Sequence, residues 1–188
     1  MNTINKWIES QRISLKEFFI PLLEIDIKKV LETHPNTYGY ALMAGEDLEQ
    51  LNVISISNTE SDYLKYEESY KDEARYIVDE WAEWHQESFP SLNNYTLELY
   101  NKFRELCPEN EGSEYYSDHE VYFQEQILSS YVDALSHLKN NGKLNNITFT
   151  LIYISDCGLD IINQSIKKLN SGIELKKALE VYEYESNG

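Results

Sequence analysis

The amino-acid sequence predicts one α+β domain over residues 1–188, in which a small, mostly antiparallel sheet of about four strands packs with about six helices. Three observations predict this class. A chain of 188 residues is long enough for one well-filled core and short for two domains. Apolar residues make up 41% of the chain, a composition typical of folded proteins. Strand-like and helix-like apolar spacings both occur, and no repeat or linker divides them.

The first 57 residues predict a helical region followed by a pair of strands. Residues 3–33 have helical apolar spacing, but Pro21 removes a backbone donor and disfavours helical geometry at Ile20. We therefore expect a kink or break there, with Pro21 beginning a second helix. Residues 38–44 and 51–57 are predicted strands, and the second is rich in β-branched residues. The short connection between them favours an antiparallel pair.

The next segment is the most polar part of the chain. Residues 58–60 are expected to leave the sheet, and residues 61–70 to form a short polar helix. A third strand is predicted over residues 74–79. Residues 79–84 resemble the first turn of a helix, because acidic residues are favourable at a helix N-terminus.

The C-terminal half alternates clear helices with one clear strand. Helices are predicted over 92–106 and 119–140, with a polar loop at 107–118 between them. Residues 145–155 form a strand whose far end is apolar on both faces, which suits a central strand covered on two sides. Two further helices follow, one ending at residues 170–172 and a last one with an apolar stripe through residues 175–182.

The net charge of −17 is concentrated in the middle of the chain. Residues 58–126 contain eighteen Asp or Glu and five Lys or Arg, a net of −13, and residues 105–126 contain seven acids and no Lys or Arg. Such a segment is either a solvated face that favours solubility or a docking surface for a basic partner. Interleaved tyrosines favour docking, since Tyr is a strong interface anchor. The candidate partner-binding residues are Glu109, Glu111, Glu114, Tyr115, Tyr116, Asp118 and Glu120.

The negative charge also excludes classes of partner. Binding to nucleic acid needs a basic face, and an anionic membrane would repel this surface, so we expect neither as a partner. The N-terminal residues lack the apolar stretch of a signal peptide, and the two cysteines, Cys107 and Cys157, lie far apart. A cytoplasmic protein with free thiols is therefore expected.

The residues that could carry chemistry form no recognisable catalytic or metal motif. Asp133 and His137 have a metal-ligand spacing on one helix but no second ligand pair, so a surface hydrogen bond is the more common explanation. His85 is expected to be a structural ring beside the tryptophans. Cys157 follows the clearest strand and resembles a nucleophile, but no histidine is recognisably placed to lower its pKa. We therefore expect no cofactor, no metal and a binding protein rather than an enzyme.

Six short segments, in this order, resemble the bacterial family of the domain of unknown function numbered 4303. They lie at residues 38–42, 57–60, 75–76, 79–81, 154–156 and 165–170. The resemblance implies an α+β fold and supplies no catalytic residues. Family members of this kind resemble immunity proteins encoded near toxins. Ile77 and Val78 stand where the family pattern has a turn-forming Ser-Pro, so a longer third strand is expected here.

Three functions are consistent with these observations. The first is a bacterial binding protein, such as an immunity protein that neutralises a basic toxin through the acidic segment. The second is a small-ligand-binding protein or enzyme with a pocket near the end of the 147–155 strand. The third is an acidic scaffold without a dedicated site. The candidate pocket residues for the second function are Trp81, Trp84, Asp156 and Cys157.

Overall fold

A computed structural model describes residues 3–45, 52–108, 117–154 and 159–185. The described residues form seven α-helices and four strands. The helices are α1 Thr3–Thr33, α2 Glu60–Tyr63, α3 Lys71–Tyr76, α4 Pro90–Leu106, α5 Asp118–Asn140, α6 Leu159–Leu169 and α7 Gly172–Glu185. The strands are β1 Thr37–Ala44, β2 Val53–Thr59, β3 Glu83–His85 and β4 Phe149–Ile154, and two 3-10 turns lie at Glu68–Tyr70 and Val78–Glu80.

The four strands form one sheet in the order β3-β2-β1-β4. β2 is antiparallel to both β1 and β3, whereas β4 runs parallel to β1. The predicted α+β class and mostly antiparallel sheet are confirmed, and the sheet is mixed. The predicted central position of β4 is wrong, because β4 is an edge strand. Its six residues are all buried, so its apolar character comes from helices covering both faces.

Each face of the sheet carries its own apolar core. On one face, Tyr40, Leu42 and Ala44 of β1 pack with α1, α4 and α5. On the other face, Ala41 of β1 and Phe149 of β4 pack with Trp81 and with side chains of α3, α6 and α7. Successive residues of a strand point to opposite faces, so one short strand contributes to both cores.

Helix α1 runs without interruption past Pro21. The predicted break at Ile20 is therefore wrong. Pro21 lies on the exposed side of the helix, where a lost backbone hydrogen bond can be replaced by water. The opposite side of α1 is held against the core by buried residues on both sides of the proline: Ile8, Leu15, Phe19, Leu23, Ile27 and Val30. This packing extends over the whole helix and outweighs the local preference of proline.

Residues 58–85 differ most from the prediction. Residues 58 and 59 remain in β2, and the predicted polar helix is only the four-residue α2 and a 3-10 turn. The predicted strand over 74–79 is the end of α3 and a second 3-10 turn. Ala74, Tyr76 and Val78 are buried alternately, as in a strand, but they lie on a face of the sheet and not within it. The third strand is β3, where a helix was predicted.

The helices predicted over 92–106 and 119–140 are confirmed as α4 and α5. Helix α5 begins with a capping box, in which Ser117 Oγ accepts the Glu120 N–H and the Glu120 carboxylate accepts the Ser117 N–H. The antiparallel β1–β2 pair is also confirmed.

Candidate functional site

An open groove of about 720 Å³ lies between the C-terminal half of α1 and residues 83–91. We call it the β3 groove. One side is formed by α1 and the other by β3 and the turn that leads into α4. The lining residues are Leu22, Ile25, Asp26, Lys29, Val30, Thr33, His34, Glu83, Trp84, His85, Gln86, Glu87, Ser88, Phe89 and Ser91. A volume of this size lies within the range of small-ligand sites in proteins.

The sheet register places polar side chains beside this groove. Ser57 lies opposite Tyr40 on β1, and Ser55 lies opposite His85 on β3, so all four project from the same face. The Tyr40 hydroxyl donates to Asp26 Oδ2 at 2.7 Å. Ser57 Oγ lies 3.0 Å from His85 Nε2. The Tyr40–Asp26 contact is buried and the Ser57–His85 contact is partly buried, and together they form a polar network where α1 packs over β1, β2 and β3.

Two titratable groups of this network are neutral at pH 7. Burial lowers the pKa of His85, and the nearby charges of Asp26 and Glu83 oppose that shift without reversing it. Burial also raises the pKa of Tyr40 well above its ordinary value, and the adjacent Asp26 charge adds to the effect. The groove is therefore charged mainly through its carboxylates and Lys29.

The outer side of β3 carries an acidic surface, which we call the acidic edge and define as Asp62, Glu80, Glu83 and Glu87. Asp62 and Glu80 line a small cavity of about 210 Å³ together with Lys65. Glu83 and Glu87 line the β3 groove. A hydrogen bond from Lys65 and a second one from Thr59 lower the pKa of Asp62 and so stabilise its negative charge.

Two apolar side chains are exposed in the same region. The Trp84 residue is 39% exposed and Leu64 is 64% exposed. The Trp84 ring nitrogen donates to the Trp81 carbonyl oxygen at 2.9 Å, which fixes the orientation of the indole. An oriented aromatic ring among carboxylates can contact both the apolar stem and the charged end of a basic side chain.

The predicted partner-binding residues do not all lie on the surface. Glu109, Glu111, Glu114, Tyr115 and Tyr116 are outside the described residues. Asp118 is exposed at the start of α5. Glu120 does not lie on the surface as predicted. It is only 5% exposed, because its carboxylate completes the capping box and lies 3.6 Å from Arg104.

The predicted pocket residues do not form a single pocket. Trp81 is buried against Gly39 and Phe149, Trp84 lines the β3 groove, and Asp156 and Cys157 are outside the described residues. A separate groove of about 430 Å³ does lie at the end of β4, between α5 and α6, but neither tryptophan lines it. Trp84 is on β3, which β2 and β1 separate from β4, and Trp81 packs against Phe149 at the start of β4, whereas Ile154 at its end lines this groove.

Sequence reasoning missed the polar network of the β3 groove. Asp26 and Tyr40 are far apart in sequence and meet only because α1 packs on β1. One signal was present: Ser55 and Ser57 alternate with Ile54 and Ile56, which places hydroxyls on one face of β2. His85 was assigned to a tryptophan cluster, whereas its ring reaches Ser57.

Asp133 and His137, which have a metal-ligand spacing, have separate partners. Arg12 donates to Asp133 Oδ2 at 2.7 Å, and Lys168 donates to the other oxygen. His137 contacts the Asn141 side-chain nitrogen at 2.9 Å. Asp133 therefore links α1, α5 and α6. Within the described ranges, no group of three or more His, Cys, Asp or Glu side chains could hold a metal ion.

Segments that carry the family resemblance meet at one place in the fold. Asn58 donates to the Tyr38 hydroxyl at 3.0 Å, and that hydroxyl lies 3.2 Å from the Arg75 carbonyl oxygen. The Arg75 guanidinium lies 4.3 Å from the centre of the Tyr38 ring and pairs with Glu60 and Glu174. Burial, more than its neighbouring charges, raises the pKa of Tyr38, so its hydroxyl is neutral, and the Arg75 charge is balanced by the two carboxylates.

The fold and the grooves define an α+β protein with a mixed four-stranded sheet and an acidic, grooved edge. A family model described as "Domain of unknown function (DUF4303)" matches residues 25–171. The chain belongs to this family. No curated protein and no solved structure matches the chain. Among the described residues, no helix is both long and apolar enough to span a membrane.

Proposed function

We propose that this chain is a cytoplasmic bacterial binding protein that holds a basic protein partner against the acidic edge, in the manner of an immunity protein on a toxin. One observation carries the proposal. Carboxylates of the acidic segment gather around a short sheet edge that also presents an exposed tryptophan and an open groove. Charge complementarity of this kind accelerates association and suppresses wrong partners.

The basic residues of the acidic segment are already used within the chain. Each of its five Lys or Arg residues forms an ion pair with an acid, and those five pairs involve five of the eighteen acids. The pairs are Lys65–Asp62, Lys71–Glu68, Arg75–Glu60, Lys102–Glu105 and Arg104–Glu120. The remaining carboxylates repel one another, and a basic partner would relieve that repulsion.

The same charges argue against nucleic acid and anionic membranes as partners, since both would be repelled.

The test begins with the genes on either side of the gene for this chain: a basic toxin domain encoded there is purified as the partner, and the absence of one would count against the proposal. Isothermal titration should show 1:1 binding that weakens about tenfold or more between 50 and 300 mM salt, since surface charge attraction is screened over this range. Co-expression should restore growth of cells that produce the toxin domain.

Charge reversal then locates the surface. Glu83→Lys should slow association about tenfold, whereas Glu98→Lys, which makes the same change in net charge on the exposed side of α4, should leave it within about twofold. If both variants slowed association equally, the acidity would be a general property of the surface, as in a scaffold, and would not mark a docking site. Absence of binding to the toxin domain would refute the proposal.

The groove at the end of β4 supports a second candidate, a small-ligand site. This groove of about 430 Å³ is lined partly by amide and carboxylate side chains, which suit a polar ligand. They are Gln124, Gln126, Gln164, Glu125 and Asp160. A ligand-observed NMR screen of small polar metabolites tests it. Hits that Gln164→Leu abolishes would support this candidate, and hits unaffected by that change would refute it.

A further inference from the structure

Asp26 is a nearly buried carboxylate beside the β3 groove. It is 8% exposed, lines the groove, and accepts one side-chain hydrogen bond from the described part of the chain, from the Tyr40 hydroxyl at 2.7 Å. No Lys or Arg among the described residues forms an ion pair with it. An ionised carboxylate has about four acceptor positions. A charge held out of water with so few partners is costly, and an incoming donor would offset that cost.

The surroundings of Asp26 would accept a long cationic side chain. Leu22, Ile25 and Phe89 form apolar parts of the groove wall. Trp84 lines the same groove and is partly exposed. An apolar wall fits the methylene stem of arginine, and a planar guanidinium stacks on an aromatic ring as well as pairing with a carboxylate.

The charge balance of the lining has the matching sign. Asp26, Glu83 and Glu87 contribute three carboxylates, and Lys29 is the one Lys or Arg among the described lining residues. His34 contacts Glu83 at 3.7 Å, and His85 is held neutral by its burial. The lining therefore attracts a cation and repels an anion.

We infer that the β3 groove receives an arginine side chain of the basic partner, with Asp26 accepting its guanidinium. The inference rests on the proposed function and assigns it one central contact. The arginine is assigned to a protein because the rim carboxylates Glu83 and Glu87 would also attract further basic side chains of a protein surface, whereas the α-ammonium and α-carboxylate of free arginine largely cancel there. The groove also opens onto the acidic edge, where the rest of a basic surface would lie.

The experiment titrates the full isotope-labelled chain with N-acetyl-L-arginine methylamide and follows backbone amide NMR signals. We expect saturable shifts at residues 26–30 and 83–89, with a dissociation constant on the order of millimolar, as suits one side chain without its protein. The citrulline analogue has the same shape without the charge and should produce no saturable shift.

Three variants distinguish the contribution of the buried Asp26 carboxylate to arginine binding from that of the general surface acidity. Asp26→Asn keeps an acceptor for Tyr40 and should weaken arginine binding about tenfold. Glu87→Gln changes an exposed rim charge and should weaken it about twofold to threefold, as for an exposed ion pair. Glu98→Gln, on α4 outside the groove, should change nothing. Because Glu87 is exposed, its variant keeps the test decisive even if Asp26→Asn disturbs folding.

Three results would overturn the inference: shifts spread over the whole acidic surface, equal binding of the citrulline analogue, or arginine binding unaffected by both groove variants. Free arginine binding tenfold tighter than the blocked derivative would also overturn it and identify a metabolite site. Toxin binding that Glu83→Lys weakens and Asp26→Asn does not would refute the arginine contact while leaving the proposed function intact.

Discussion

Gly39 lies directly beneath the indole of Trp81. A Cβ at this position would lie 2.6 Å from Trp81 Cη2 and 2.8 Å from Cζ2, which is closer than van der Waals contact allows. Trp81 cannot move away easily, because it is 2% exposed and packs against Tyr38 and Phe149. Glycine is therefore required at this position of β1, because there is no room for a Cβ atom beneath the indole.

Gly39→Ala should destabilise the protein by about 1–3 kcal/mol through overpacking. Trp81→Phe removes the ring atoms that the new Cβ would meet, so the same glycine change should cost at least about 1 kcal/mol less in that background. Urea unfolding of the four proteins in this double-mutant cycle measures the coupling. An identical cost of Gly39→Ala in both backgrounds would contradict the contact.

His85 makes the stability depend on pH. Its pKa is lowered by burial, so the unfolded chain binds a proton at higher pH than the folded chain does. The contribution of neutral His85 is complete above the unfolded pKa of about 6.5 and is lost as pH falls below it. Asp26 and Glu83 oppose this loss, while His34 and Lys29 add to it.

His85→Gln should therefore reduce the fall in unfolding free energy between about pH 7.5 and 5.5, a window around the unfolded pKa of histidine. Glutamine keeps a hydrogen-bonding group for Ser57. Urea unfolding at the two pH values provides the measurement, with His137→Gln, at an exposed hydrogen bond, as the matched control. A wild-type pH dependence in the His85 variant would exclude this residue as its source.

At the scale of elements, two asparagine side chains form hydrogen bonds with backbone groups of the sheet that no neighbouring strand pairs. Asn170, just after α6, accepts the Thr150 N–H at 2.9 Å and donates to the Thr150 carbonyl at 2.6 Å. Asn93 of α4 forms the same fork with Val53 of β2, at 2.8 and 3.2 Å. Each amide mimics a neighbouring strand, so backbone groups that would otherwise be unpaired are satisfied by a helix side chain.

Asn170→Ala should destabilise the protein by about 2–4 kcal/mol, because it leaves a buried N–H and a buried C=O of β4 unpaired. Asn163→Ala, on the adjoining helix α6, is the matched control, since its side-chain oxygen has no hydrogen-bond partner among the described residues. That change should cost less than about 1.5 kcal/mol. Chemical denaturation of both variants measures the difference, and equal costs would contradict the fork.

At the scale of the whole molecule, a net charge of −17 produces self-repulsion that salt screens. Raising the NaCl concentration from about 20 to 200 mM should therefore raise the melting temperature by about 2–4 °C, equivalent to about 1 kcal/mol for a chain of this size. Scanning calorimetry measures this shift.

Glu98→Lys lowers the net negative charge on an exposed helix face and should reduce that salt response, with Glu98→Gln intermediate. A melting temperature that is insensitive to salt in the wild type, or a response that does not follow the charge, would show that the acidic groups are already balanced in the folded chain.

Local signals predicted a large part of the fold. The β-branched run of β2 and the short connection to β1 predicted their antiparallel pairing, and the apolar stripe of α5 predicted that helix. The predictions of a break at Pro21 and of a strand over residues 74–79 were wrong for the same reason. Each carries a local preference of at most a few kcal/mol, and packing along the whole of α1, or on one face of the sheet, overrides it.

The candidate site was predicted less well. Four of the eighteen acids of the middle segment form the acidic edge, and the pocket candidate Trp84 lines the β3 groove. Asp26, Tyr40 and Ser57 were missed because they lie on three elements that meet only after folding. Glu120 was misassigned because acidity in sequence does not distinguish a surface carboxylate from one that caps a helix.

By itself, the sequence determined the class of fold, most of the long elements, the acidic excess and where along the chain it is concentrated, because these depend on composition and local periodicity. Only the tertiary structure decided that β4 is an edge strand, that α1 continues through Pro21, and that Asp26 faces a groove beside Tyr40. These features depend on contacts between residues distant in sequence, whose free energy no local pattern records.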